Sequence, residues 1–111
     1  MAPFPIFPLN SVIFPGQDLP LHIFEDRYRQ LVHEVLAEDG EFGIALLKDG
    51  REVGSGAIPV EIGCTVRITE VEKLPDGGFN LLCRGGRRFR VLQLLDESPY
   101  LRADVAFPPH P

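Results

Sequence analysis

The chain has 111 residues, a net charge of −5, and 44% hydrophobic and 24% charged side chains. That supports one folded domain and excludes a chain holding both an ATPase module and a protease. Eleven prolines, about twice the usual share, argue against an all-helical bundle, because proline inside a helix costs about 3 kcal/mol or more. Residues 1–55 carry four basic and nine acidic side chains, and residues 56–111 carry seven of each, so the broad basic surface of a general nucleic-acid binder is missing.

The first segment, Phe4-Pro5-Ile6-Phe7-Pro8-Leu9, is apolar and strand-like but broken by prolines. Sheets tolerate proline at edges and strand starts, so an edge strand or an extended arm is expected. Asn10-Ser11 reads as a turn. Val12-Ile13-Phe14 is a second short apolar piece stopped by Pro15-Gly16. Leu19-Pro20-Leu21-His22-Ile23 is extended again, since a residue before proline is pushed away from helix.

One amphipathic helix is predicted over about residues 24–38. Phe24, Tyr28, Leu31, Val32, Val35 and Leu36 recur with helical period and form its apolar stripe. Glu25 and Asp26 suit the positive end of the helix dipole, and Gly40 is a natural stop. The outward face carries Arg27, Arg29, Gln30, His33 and Glu34.

Beyond Gly40 the pattern is β. Phe42–Leu47 is a short apolar run, Asp49-Gly50 a turn signal and Gly54-Ser55-Gly56 a loop. Cys64, Val66 and Ile68 alternate with Thr65, Arg67 and Thr69, and the phase then slips at Glu70-Val71, which a β-bulge near residues 69–71 explains. Leu74-Pro75-Asp76-Gly77-Gly78 is a strong hairpin turn. Phe79, Leu81 and Cys83 alternate back, and Gly85-Gly86 allows a second turn before a strand over Phe89–Leu95. Asp96-Glu97-Ser98-Pro99 breaks that strand and Tyr100–Phe107 is the last. About six strands and one main helix point to a mostly-β (α+β) barrel or sandwich with a helix plugging one side.

Cys64 and Cys83 lack zinc spacing. In the expected hairpin Cys83 faces roughly residue 70, too far from Cys64 for a disulfide, so both read as buried thiols. No apolar run approaches the about 18 residues of a membrane span. The N-terminus lacks the basic and apolar regions of a signal peptide. A cytoplasmic protein without membrane contact is expected.

Phe7-Pro8-Leu9-Asn10-Ser11-Val12-Ile13-Phe14-Pro15-Gly16, followed by Leu19-Pro20-Leu21-His22-Ile23-Phe24-Glu25-Asp26-Arg27-Tyr28, resembles the start of the Lon N-terminal, or Lon substrate-binding, domain family. Asp26 departs from the pattern, where proline or alanine is common. Gly63-Cys64-Thr65-Val66-Arg67-Ile68, the Leu74–Gly78 hairpin, Gly85-Gly86-Arg87-Arg88-Phe89-Arg90-Val91 and Pro99-Tyr100-Leu101 extend the resemblance over about residues 4–107. It implies a PUA-like pseudo-barrel with one packed helix. It also implies the front end of an ATP-dependent Lon protease, or a stand-alone version of that domain. The domain is expected to span 1–107, with 108–111 a proline-rich tail or the start of a linker.

No catalytic site is expected. His22 lacks a nucleophile motif around it and reads as a structural residue at the strand-to-helix junction. His33, Glu34 and Glu38 read as a solvated helix face, with no metal and no cofactor. Arg27 reads as pairing with a nearby carboxylate or as a partner contact. Arg84, Arg87, Arg88 and Arg90 read as a basic hairpin tip. That tip invites an RNA-binding reading in a PUA-like fold, but Phe89 is expected in the core and stacking aromatics are lacking, so nucleic acid is not the expected partner.

Phe4, Ile6, Phe7, Ile13, Phe14, Leu19, Leu21 and Ile23 are more apolar residues than a proline-broken edge can easily bury. An exposed apolar patch beside an unpaired strand edge suits the gripping of an unfolded polypeptide. The expected contact residues are Phe7, Phe14, Leu19, Leu21, His22, Phe24 and Arg27, with a possible basic contact at Arg84, Arg87 and Arg88. The expected function is non-enzymatic recognition of unfolded or damaged polypeptides. The alternatives are a homo-oligomer assembled through the N-terminal apolar edge, or an RNA-binding module.

Overall fold

The computed structural model describes residues 3–9, 11–46, 62–96 and 99–108. The expected turns at Asn10 and Asp49-Gly50, the loop at 54–56, residues 97–98 and the tail from residue 109 lie outside them. The elements are β1 (Phe4–Leu9), β2 (Asp18–Ile23), α1 (Asp26–Leu36), β3 (Glu41–Leu46), β4 (Ile62–Lys73), β5 (Phe79–Asp96) and β6 (Arg102–Ala106). The strands form one sheet in the order β2-β5-β4-β3-β1-β6, and β6 pairs again with β5. Five strands thus close into a circuit, a pseudo-barrel, and β2 is left as an extra strand along one flank.

β1 is not the edge strand expected from its prolines. It pairs in parallel with β3 from Ile6↔Gly43 to Leu9↔Leu46, and antiparallel with β6 at Phe4↔Ala103 and Pro5↔Arg102. Alternation explains how the prolines fit. Successive residues turn their backbone groups to opposite sides of a strand. The Ile6 N–H donates toward β6, to the Leu101 carbonyl at 2.9 Å. Pro5 therefore turns its nitrogen toward β3 one residue before that ladder begins, and Pro8 turns its nitrogen toward β6 past the end of that ladder. Neither position asks for an N–H.

β5 is one continuous strand of 18 residues, where a turn at Gly85-Gly86 and two shorter strands were expected. Its register with β4 shifts twice. Between Cys64/Val66 the extra residue lies on β5, at Gly86-Arg87. Between Ile68/Glu70 it lies on β4 at Thr69, where the sequence phase slips. The first bulge accounts for a departure in β4, because Thr65 is fully buried rather than outward-facing. Its Oγ1 accepts the Arg87 N–H at 3.0 Å, a donor that the bulge takes out of the ladder. A Cβ on Gly85 would lie 2.2 Å from the Phe14 carbonyl oxygen, and one on Gly86 2.6 Å from Thr65 Oγ1. The two glycines allow close approach rather than a reversal.

The Leu74–Gly78 hairpin forms as expected. Gly77 N–H donates to the Leu74 carbonyl at 3.0 Å and Leu74 N–H to the Gly78 carbonyl at 2.9 Å, with Gly77 at φ 91.

The helix is shorter at both ends than expected. β2 holds its pairing to Ile23↔Phe79, so Phe24 is a linking residue and Glu25, with extended backbone, is the N-cap. Tyr28, Leu31, Val32 and Val35 are buried, while Phe24 and Leu36 are exposed. Past Leu36 the chain turns, and Gly40, at φ 75, returns its N–H to the Val35 carbonyl at 2.8 Å.

Two cores lie on the two faces of β3. Phe42 and Ile44 join the helix residues with Leu21, Ile23, Val66, Phe79, Leu81, Cys83 and Tyr100. Ala45 faces the other way with Ile6, Phe89, Val91, Leu101 and Ala103. In the second core the Phe89 ring fills space that two glycines leave empty: a Cβ on Gly63 would meet its Cζ at 2.4 Å, and one on Gly43 would meet it at 2.8 Å. Tyr100 ties the helix to the approach of β6 by donating its O–H to Glu34 Oε1 at 2.5 Å, while Gln30 Nε2 donates to the same carboxylate at 3.0 Å.

Two predictions follow from this packing. Gly63→Ala is expected to lose about 1–3 kcal/mol by overpacking, and Phe89→Leu in the same chain to recover part of that loss; additive losses in urea unfolding would contradict the contact. The Tyr100 and Gln30 hydrogen bonds hold the Glu34 carboxyl below its usual range, so their stabilisation exists above that range and is lost as pH falls through the lowered value. Burial, then the Glu34 bond, push Tyr100 up to about 12, a contribution present below the ordinary phenol value and lost as pH rises toward that figure. The stability advantage over Tyr100→Phe is expected to be largest near neutral pH and to shrink at both extremes. An advantage that does not vary with pH would rule the linkage out.

Candidate polypeptide-binding surface

The surface is organised along one flank of β5. β2 covers the flank from Phe79 to Arg84 and β6 covers it from Arg90 onward. The segment before β2 fills the gap. Gly16 N–H donates to the Gly85 carbonyl and Gly85 N–H to the Gln17 carbonyl, both at 2.8 Å. A tight turn closes the segment on itself, with Gln17 N–H on the Phe14 carbonyl at 3.0 Å and Phe14 N–H on Gln17 Oε1 at 3.1 Å. The chain so pinned turns Ile13 into the core and leaves Val12 53% and Phe14 54% exposed. The expected apolar piece is therefore an anchored loop rather than a strand. Arg88 sets its guanidinium 5.2 Å from the Phe14 ring. Val12 and Arg88 also line a small pocket with Leu46 and Ile62, and Ile62 is 54% exposed.

β2 is the end strand of the sheet, and its outer edge has no partner among the described residues. The Gln17 carbonyl faces β5, so by alternation Leu19, Leu21 and Ile23 also turn their backbone groups inward. Asp18, Pro20 and His22 turn theirs to the open edge. Pro20 thus removes one donor from that edge, a common way of blunting it.

The expected contact residues divide into two groups. Phe7 packs on Tyr28, with ring centroids 4.5 Å apart, and on Phe42. Leu21 is buried in the main core, and Leu19 is half-buried against it. These three serve the fold. Phe14 and Phe24 flank the free strand at its two ends, and Phe24 is 58% exposed. His22 lies 5.6 Å from the Phe24 ring, and its Nδ1 bonds Asn80 Oδ1 at 2.8 Å while Asn80 Nδ2 donates to Glu72. That chain crosses three strands and includes no nucleophile. Arg27 pairs with Glu25 at 3.1 Å and lies over the Tyr28 ring, a pairing within the helix start.

The arginines do not form a hairpin tip. They lie along β5, where the bulge rearranges their partners. Arg84 pairs with Asp18 across the strands at 3.0 Å. Arg87 lies over the Phe107 ring at 3.7 Å and reaches Glu41 at 4.0 Å. Arg88 and Arg90 are exposed beside them. Val12, Ile62 and Phe107 were not singled out from sequence. An apolar residue stopped by proline carried a signal for Val12, whereas the role of Ile62 depends on its place opposite Arg90.

Among the described residues no group of three or more His, Cys, Asp or Glu side chains is placed to hold a metal ion. Among the same residues, no helix is long and apolar enough to cross a membrane. Both cysteines are free and buried. Cys83 sits opposite Ile68, and burial pushes the Cys64 thiol up and the Cys83 thiol up to about 12.

The family model for the ATP-dependent protease La (LON) substrate-binding domain matches residues 3–111. The chain belongs to this family. It is 35% identical over 103 residues to Lon protease 2 of Myxococcus xanthus, covering 91% of this chain and 12% of that protein. It is 33% identical over 106 residues to a Lon protease of Anaeromyxobacter dehalogenans, covering 94% and 13%. The chain therefore spans only a small part of the length of these relatives. A Lon N-terminal domain protein from Xanthomonas campestris superposes with a TM-score of 0.80 at 34% identity, covering 96% of this chain and 60% of that one. The N-terminal domain of a Mycobacterium avium complex Lon protease gives 0.70 at 22% identity, covering 99% and 56%, a likeness of fold. The Lon substrate-binding architecture is thus mostly strand with one helix, as the sequence pattern implies.

The raised thiols give a direct check. At neutral pH neither cysteine is expected to react appreciably with a thiol reagent in the native protein, and both are expected to react once it is unfolded. Rapid labelling of the folded chain would contradict the packing of β4 against β5.

Proposed function

We propose that this domain recognises unfolded or damaged polypeptides without chemistry of its own. It would deliver them, in the cytoplasm, to the ATP-dependent proteolysis named in the description of its family. The observation that carries the reading is the anchored loop: Val12, which shares a pocket with Ile62, and Phe14 stand more than half exposed on the segment that leads into β2, the strand with an open edge. A folded polypeptide keeps its apolar side chains and backbone donors occupied. An unfolded one offers both, and an apolar strip beside a free strand edge is complementary to both. The loop is held by its backbone bonds to β5, so presenting its side chains costs little ordering on binding.

Family membership supports the same reading through the description of the domain as substrate-binding. A single copy has no multivalency to draw on, so its affinity is expected to be weak, on the order of hundreds of micromolar. Titration of a fluorescent, permanently unfolded polypeptide tests this. Saturable binding is expected, weakened about three- to tenfold in a Val12→Ser, Phe14→Ser double variant whose thermal unfolding stays close to that of the parent. No binding in that concentration range, with the domain folded, would falsify the reading.

A further inference from the structure

We propose that the bound polypeptide is selected for acidic residues beside its apolar ones, through a groove that continues the strip past Ile62. The inference rests on the polypeptide-binding reading above and names the class of segment preferred.

The groove holds about 560 Å³ and is lined by Ile62, Arg88, Phe89, Arg90, Ala106, Phe107 and Pro108. Ile62 and Arg88 also line the pocket beside Val12, so the two depressions share a wall and one extended chain can cross both. The floor is apolar and two guanidinium groups stand at the rim. Arg84 and Arg87 have carboxylates near them, Asp18 and Glu41. Among the described residues, Arg88 and Arg90 are in no ion pair and no carboxylate lines the groove. That is an unusual concentration of positive charge in a chain of net −5. Among the described residues, acidic side chains gather at the cleft of about 890 Å³ that Glu34, Glu38, Asp39 and Glu41 line beside the end of α1.

Guanidinium groups match carboxylates in shape as well as charge, because two parallel N–H donors meet two oxygens. Beside an apolar floor, such a rim favours a segment that places an apolar side chain in the groove and an Asp or Glu at its mouth. Nucleic acid fits the same arginines less well, since single strands need bare aromatic faces for stacking. Here Arg87 covers Phe107 at 3.7 Å, Arg88 leans over Phe14, and Phe89 is buried.

The test compares two labelled peptides with one apolar core, one flanked by glutamates and the other by lysines. The acidic peptide is expected to bind about tenfold more tightly at low ionic strength, and the gap to close as salt is added. The Arg88→Glu, Arg90→Glu variant changes only exposed side chains and is expected to reverse the preference while unfolding at the parent temperature. Equal binding of both peptides, unchanged in the variant, overturns the acidic preference and leaves polypeptide recognition standing. Binding of neither peptide overturns both. A single-stranded oligonucleotide that binds more tightly than either peptide, and loses its binding in the same variant, replaces the proposal with a nucleic-acid site.

Discussion

The fold depends on how closely β3 and β4 can bring their backbones to the Phe89 ring. Gly43 and Gly63 have no side chain to hold it off, and it sits where their Cβ atoms would be. Burying a ring of that size contributes roughly 1.5–3 kcal/mol. Its greater effect is geometric. A sheet can curl into a closed circuit only if the strands on its concave face come close without leaving a void, and one aromatic over two bare positions meets both demands. Ile6 and Phe4 pack around the same ring, so the first strand is fixed by the contact that curves the middle of the sheet.

The closed circuit explains how the proposed recognition surface arises. Once β5 serves both β2 and β6 on one flank, a short stretch of that flank is left between them. The chain fills it with a loop rather than a strand. Its tight turn and its backbone bonds to Gly85 fix the loop so that Ile13 points inward and Val12 and Phe14 stay outside. The bulge at Gly86-Arg87 lies next to this loop and shifts the face on which the following residues appear, so that Phe89 points to the core and Arg88 and Arg90 flank it outside. Apolar contact and positive charge come together because one irregularity in one strand places both.

Much of the fold was legible because the relevant forces are local. The helical stripe of Tyr28, Leu31, Val32 and Val35, the turn at Leu74–Gly78 and the phase slip at Thr69 each depend on neighbours in the chain. The misreadings came from constraints set by distant partners. Gly85-Gly86 looks like a turn until the Phe14 carbonyl and the Thr65 hydroxyl are found against it. Pro5 and Pro8 suggest an edge unless it is known which flank each nitrogen faces. The site divided in the same way. Phe7 and Phe14 are indistinguishable as apolar residues beside proline, yet one lies on Tyr28 and the other stands in water, a difference decided by a backbone tether to β5.

The pairing of β1 with β6 joins Phe4 to Ala103, nearly the full length of the domain. Contacts of such separation are slow to form, because the entropy of closing a long loop is lost before they return anything. On a ribosome the first strand emerges early and its last partner very late. Until then Phe4 and Ile6 have no second core to enter, and the nascent chain carries the kind of exposed apolar segment that quality-control machinery recognises. Under the function proposed above, the domain is itself, while it is being made, an example of the unfolded chains it would recognise.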